Sequence, residues 1–187
     1  MTTLLIALHG YGGTGADMAQ ALSAGHESVP LEAPDGPVRA SLVGRGRAWY
    51  PLTSQMDLVR QWSREVSPDV ARLVRAAQAR HGASPDRTVL VGFSQGASVA
   101  AALLRHSPLC HRVVLACGRL PDGAPPCEEV LTVTGEDDPF VRTEDVRTDV
   151  GAVRARHVTV PGVGHEFTHD VAQVALAFAT GPQRSHE

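Results

Sequence analysis

Apolar residues in this chain gather in short unbroken runs, and between the runs they recur at helical spacing. Leu4-Leu5-Ile6-Ala7-Leu8 is the first run. It shows no polar alternation, which predicts a strand covered on both faces. Thr14-Gly15-Ala16-Asp17 resembles a capping box and predicts a helix that Gly25 closes. Val29-Pro30-Leu31-Glu32-Ala33 predicts a shorter strand that ends in a Pro/Gly loop. From 51 to 81 the pattern is helical. Ser67-Pro68-Asp69 reads there as N-cap, first turn and dipole-matched acid, so two pieces are expected, with Val70, Leu73, Val74 and Ala77 as the buried face of the second. A strand over 88–91 precedes a helix that Pro108 stops. Further strands are expected over 112–116, 130–134 and 157–160. Phe167, Val171, Val174, Ala175 and Phe178 give the last helix its apolar stripe, and the tail after Gly181 is expected to fray.

Strand and helix alternate throughout, which predicts a single α/β domain over 1–187: about six mostly parallel strands with helices on both faces. No repeat, low-complexity tract or linker divides it. Composition adds exclusions. The 187 residues are 43% apolar and 20% charged, with a net charge of −3, so no basic nucleic-acid footprint is present. No lysine occurs; every strong base is an arginine. Residues 4–8 are too short for a signal-peptide core and no basic segment precedes them, and no run approaches transmembrane length. Cys110, Cys117 and Cys127 are odd in number and lack metal-type spacing. Reduced thiols in a cytoplasm are expected, with no membrane and no metal.

The chemistry centres on Val89-Leu90-Val91-Gly92-Phe93-Ser94-Gln95-Gly96-Ala97, which passes from strand to helix within a couple of residues. A reversal that sharp crowds the positions on either side of the turn, and glycine relieves the crowding. Ser94 is then held in a strained conformation, at a cost of about 1–3 kcal/mol. Its Oγ is presented at the carboxyl edge of the sheet, beside a helix N-terminus. The same five positions also fit an ordinary Gly-rich turn; the strand before and the Ala-rich helix after favour a nucleophile.

A serine hydroxyl needs a base, and the base needs an orienting acid, in the chain order Ser, Asp/Glu, His. Thr134-Gly135-Glu136-Asp137-Asp138-Pro139 follows the next-to-last strand, and Gly162-Val163-Gly164-His165-Glu166-Phe167 follows the last. Composition does not choose between Asp137 and Asp138. Seven other histidines (His26, His81, His106, His111, His157, His169 and His186) sit at helix ends, strand starts or the tail, where solvation or capping accounts for them. Only His165 lies in a Gly-flanked loop at the carboxyl end of a strand. For a charged tetrahedral intermediate, the backbone N–H groups of Tyr11 and Gln95 are the expected donors, with His9 bracing the first loop.

The same loop carries a competing signal. Gly10-Tyr11-Gly12-Gly13-Thr14-Gly15 matches the dinucleotide fingerprint, with Glu32 near the distance expected for a ribose contact. Alone it would indicate an NAD-binding oxidoreductase, but that reading leaves the later Ser-Asp-His order unexplained.

"LHGYGGTGADM", "GRAWYPL", "GFSQGASVA", "TGEDDPFV" and "GVGHEF" resemble, in order and spacing, the phospholipase/carboxylesterase group of α/β-hydrolases, which includes acyl-protein thioesterases. The resemblance covers nearly the whole chain. It implies the α/β-hydrolase fold and a serine hydrolase without cofactor, acting on small-molecule carboxylic esters or thioesters. It maps nucleophile, acid and base onto Ser94, Asp138 and His165, and the oxyanion donors onto Tyr11 and Gln95. The family pattern places the acid directly before a proline, here Pro139. Where the group commonly has a serine, this chain has Cys117, read as a small buried residue without a catalytic role. The chain is also shorter than usual for the group. The segment 118–129 is too short for a helical lid, which implies a minimal lidless form and argues against a long acyl channel. Trp49 and Tyr50 are expected to border the cleft as substrate contacts, with packing between loop and helix as the equal alternative. Two rivals to hydrolysis stay open: an acyltransferase or cyclase using the same site, and a binding module on the same fold.

Overall fold

Runs without polar alternation become strands in the middle of a parallel sheet. The computed structural model describes residues 3–23, 29–41, 46–151 and 155–181. Along the chain the elements are β1 (Leu4–Leu8), α1 (Gly15–Ser23), β2 (Leu31–Glu32), β3 (Val38–Arg39), β4 (Arg47–Ala48), α2 (Met56–His81), β5 (Thr88–Phe93), α3 (Gln95–Leu104), β6 (Arg112–Ala116), β7 (Glu129–Gly135), α4 (Thr143–Val150), β8 (Ala155–Val160) and α5 (His169–Thr180). The expected helix stop at Gly25 and the tail beyond Gly181 lie outside the described residues.

Six strands form one sheet in the order β2-β1-β5-β6-β7-β8, and every pairing in it is parallel. Successive side chains along a strand point to opposite faces. Leu4, Ile6, Leu8, Leu90, Val113 and Leu115 therefore pack under α2 and α3. Leu5, Ala7, Val89, Val91, Val114 and Ala116 face α1 and α5. This is the predicted α/β-hydrolase architecture. The chain leaves β1 toward β2 on one side and returns to β5 on the other. The carboxyl ends of β1 and β5 thus flank a crevice, the usual ligand position in open parallel sheets.

The capping box opens α1 as predicted. The Thr14 N–H donates to Asp17 Oδ2 at 2.9 Å and the Asp17 N–H to Thr14 Oγ1 at 3.1 Å. The expected break at Ser67-Pro68-Asp69 does not occur: α2 runs through Pro68. Proline removes the N–H that would bond the Arg64 carbonyl four residues back. The Ser67 hydroxyl donates to that carbonyl instead, at 2.9 Å, so the helix continues without a buried orphan acceptor. Leu73 is also exposed rather than buried, because the covered stripe runs through Val66, Val70, Ala71, Val74 and Ala77. The antiparallel ribbon β3–β4 was not predicted. Two residues per strand leave no readable period.

Candidate active site

The turn between β5 and α3 explains its two glycines by what surrounds it. A Cβ on Gly92 would lie 2.5 Å from the Gly96 carbonyl oxygen, and one on Gly96 would lie 2.0 Å from the Leu8 carbonyl oxygen. The crowding is against the first turn of α3 and the end of β1, not between the flanking side chains themselves. Ser94 is one of two non-glycine residues with positive φ among those described, at φ 54° and ψ −113°. Its N–H is held by the Ala116 carbonyl at 2.8 Å. The tight packing of β5, β6 and α3 sustains that conformation.

The three loops after β5, β7 and β8 converge. Ser94 Oγ lies 2.9 Å from His165 Nε2, and His165 Nδ1 lies 2.8 Å from Asp138 Oδ2. An ionised carboxylate only accepts, so Nδ1 carries the hydrogen and Nε2 is left with its lone pair toward the serine. Asp138 is buried, and its other oxygen accepts from the N–H groups of Phe140 and Val141, each at 2.9 Å. Pro139, directly after Asp138, supplies no competing donor. The neighbouring Asp137 is exposed, and its N–H bonds the Val163 carbonyl. Rings of Phe93 and Phe140 pack on His165 with centroids 5.4 and 5.3 Å away. This arrangement can draw the proton from Ser94 and hold the resulting imidazolium.

The loop after β1 is fixed by a scaffold that sequence reading saw only in part. His9 is 1% exposed. Its Nδ1–H donates to the Gly10 carbonyl at 2.7 Å, and its Nε2 accepts from the Gly36 N–H at 2.9 Å. Burial lowers its pKa below the ordinary histidine value, which suits a neutral ring that accepts on one side. Ribbon strand β4 clamps the same loop: Gly12 N–H donates to the Arg47 carbonyl and Arg47 N–H to the Gly13 carbonyl, at 2.9 and 2.8 Å. Tyr11 sits on this loop, its hydroxyl accepting from the Ser41 N–H. Gln95 opens α3, where N–H groups lack intrahelical acceptors. Its side chain has a further part that the sequence did not disclose. Buried, it accepts from the Trp49 N–H and donates to the Tyr50 carbonyl, at 3.1 and 2.9 Å.

Trp49 does not border the cleft. It is 2% exposed, stacks on His9 with centroids 5.2 Å apart, and donates its indole N–H to the His9 carbonyl. The need to satisfy that N–H in the interior turns the ring inward. Of the two aromatic residues, only Tyr50 lines the cleft. The ribose contact expected of Glu32 under a dinucleotide reading is also unavailable. Its carboxylate pairs with Arg80 at 3.0 Å and His81 at 2.9 Å, at the end of α2, and these partners lower its pKa.

Beside Ser94 lies a cavity of about 220 Å³, walled by Tyr50, Met56, Val59, Cys117, Phe140 and Val141 among others. That is below the roughly 300–1,000 Å³ of drug-sized ligand pockets. Residues 118–128 form no helix over it. Cys117 is fully buried, with φ 48° and a thiol pushed up to about 12 by burial. Among the described residues, no three or more His, Cys, Asp or Glu side chains converge as metal ligands would, and no helix is long and apolar enough to cross a membrane.

Comparison with known proteins supports the family and the fold. The phospholipase/carboxylesterase family model matches residues 1–134, which include Ser94 and the loop after β1. Asp138 and His165 lie beyond the matched residues. Esterase PE8 is 25% identical, with a TM-score of 0.83 over 95% of this chain and 91% of its own. A carboxylesterase from Mesorhizobium loti is 18% identical, with a TM-score of 0.77 over 96% of this chain and 89% of its own. The Bacillus cereus carboxylesterase is 19% identical, with a TM-score of 0.71 over 95% and 87%.

Proposed function

Since the chain belongs to the phospholipase/carboxylesterase family of hydrolases, we propose that it cleaves small carboxylic esters or thioesters through an acyl-enzyme on Ser94. One observation carries this reading: an unbroken line of hydrogen bonds from Ser94 Oγ through His165 to buried Asp138, beside a small cavity. His165 Nε2 takes the serine proton as Oγ attacks the substrate carbonyl. The developing oxyanion is met by the backbone N–H groups of Tyr11 and Gln95. Asp138 holds the imidazole in the tautomer that accepts from serine and offsets its positive charge once protonated. His165 then gives the proton to the leaving alcohol or thiol. Water, activated by the same imidazole, releases the acid.

The cavity volume and the absence of a helix over 118–128 support short acyl groups. The reading is tested by a hydrolysis screen of esters and thioesters of graded acyl length, with Ser94→Ala as the blank. A primary alcohol is added as a competing nucleophile. Release of free acid as the main product supports hydrolysis. A transesterified main product assigns the site to acyl transfer, and no turnover of any ester or thioester overturns the reading.

A further inference from the structure

Two cysteines stand apart from the catalytic edge of the sheet, at its opposite end. Strands β6 and β7 pair in parallel from Arg112 opposite Glu129, and the Glu129 N–H donates to the His111 carbonyl at 3.0 Å. Cys110 and Cys127 each lie two residues ahead of the first pair, where the two segments enter the ladder side by side. The ladder they lead into holds its strands about 4.8 Å apart, and a disulfide spans roughly 4.4–6.8 Å between Cα atoms. Both side chains belong to the same apolar cluster, under α2. The Cys127 thiol donates to the Cys110 carbonyl at 3.6 Å, so the two residues are in direct contact. Cys110 is 8% exposed and Cys127 is partly accessible.

We propose that Cys110 and Cys127 form a dithiol site that small disulfides oxidise to an intramolecular disulfide. Their place at the start of the ladder, their contact and their shared cluster carry the inference. The two thiols also divide the chemistry. The hydrogen bond from Cys110 lowers the Cys127 pKa, and burial pushes the Cys110 thiol up. The accessible Cys127 thiolate attacks one sulfur of the small disulfide and expels the other as a thiolate. Cys110 then loses its proton, attacks Cys127 Sγ and expels the second small thiolate. Two protein thiols are oxidised and one small disulfide is reduced to two thiols. The bond closes a ring that contains β6 and the cleft residues Cys117, Gly118 and Arg119, so it tethers one wall of the cleft from behind.

Trypsin separates the three cysteines, because arginines at 105, 112, 119 and 142 place Cys110 in 106–112, Cys117 in 113–119 and Cys127 in 120–142. The folded protein is incubated with oxidised glutathione, quenched in acid, alkylated and digested. The expected product is 106–112 linked to 120–142, two hydrogens lighter than the sum of the two peptides, with Cys117 alkylated after unfolding. Cys110→Ser should instead retain glutathione on Cys127. Circular dichroism checks that each sample stays folded. Three alkylated cysteines in the treated wild type, stable glutathione on wild-type Cys127, or a link through Cys117 would each overturn the proposal.

Discussion

Asp138→Asn isolates what the acid contributes, because the structure constrains how asparagine sits. Oδ1 of Asp138 accepts from two backbone N–H groups at 2.9 Å, and Oδ2 accepts from His165 Nδ1 at 2.8 Å. An asparagine has one acceptor end and one donor end. If its NH2 faced Phe140 and Val141, two buried donors would be left opposed by a third and fourth. The amide oxygen therefore stays with the backbone, and the NH2 points at His165. Nδ1 must then accept, which moves the imidazole hydrogen to Nε2. There it donates toward Ser94 Oγ and cannot take the serine proton. A wrong-tautomer substitution of this kind reduces kcat by about 10⁴, which is about 5.4 kcal/mol of barrier. Asp137→Asn should stay within about twofold, since Asp137 is exposed and engages Val163 through its backbone. The assay is kcat on one p-nitrophenyl ester for both variants, with folding followed by circular dichroism. A folded Asp138→Asn enzyme within tenfold of wild type would refute the tautomer argument. A crippled Asp137→Asn would shift the acid by one residue.

Three more outcomes follow from the same geometry. Acetyl and butyryl esters should give higher kcat/KM than octanoyl or longer esters, since the cavity is about 220 Å³ and no helix covers 118–128; a preference for dodecanoyl below its micelle concentration contradicts this. Burial lowers the His9 pKa, so the unfolded chain binds more protons, and stability should fall as pH drops below about 6.5. His9→Gln should lose less of its urea midpoint than wild type between pH 7.5 and 5.5, and equal losses would count against the buried neutral ring. Burial pushes the Cys117 thiol up to about 12, so iodoacetamide at pH 8 should leave Cys117 unmodified in the folded protein; peptide mapping that finds it alkylated contradicts the prediction.

What could be read from the chain was what leaves a local trace. The runs at 4–8 and 112–116 became strands with those bounds, because central parallel strands need unbroken apolar residues. The spacing of Gly92, Ser94 and Gly96, and the later Asp and His loops, pointed to the residues now found within hydrogen-bond reach. Features that depend on distant partners left no such trace. Pro68 reads as a helix start, and only the Ser67 hydroxyl on the Arg64 carbonyl shows why the helix continues. Trp49 reads equally as a cleft residue or as packing, because nothing local discloses that its indole bonds the His9 carbonyl 40 residues away. The Gln95 side chain bridges to Trp49 and Tyr50 across a comparable separation. The β3–β4 ribbon, which holds the loop carrying Tyr11, is too short to give a period.

The central claim is that Ser94 Oγ is a nucleophile activated by His165. It is met most directly by labelling the folded protein with a fluorophosphonate and mapping the adduct by peptide mass spectrometry. One adduct per chain is expected, on Ser94, lost in Ser94→Ala and slowed at least about a hundredfold in His165→Ala. An unlabelled wild-type protein, or an adduct of equal yield in folded Ser94→Ala, would contradict it.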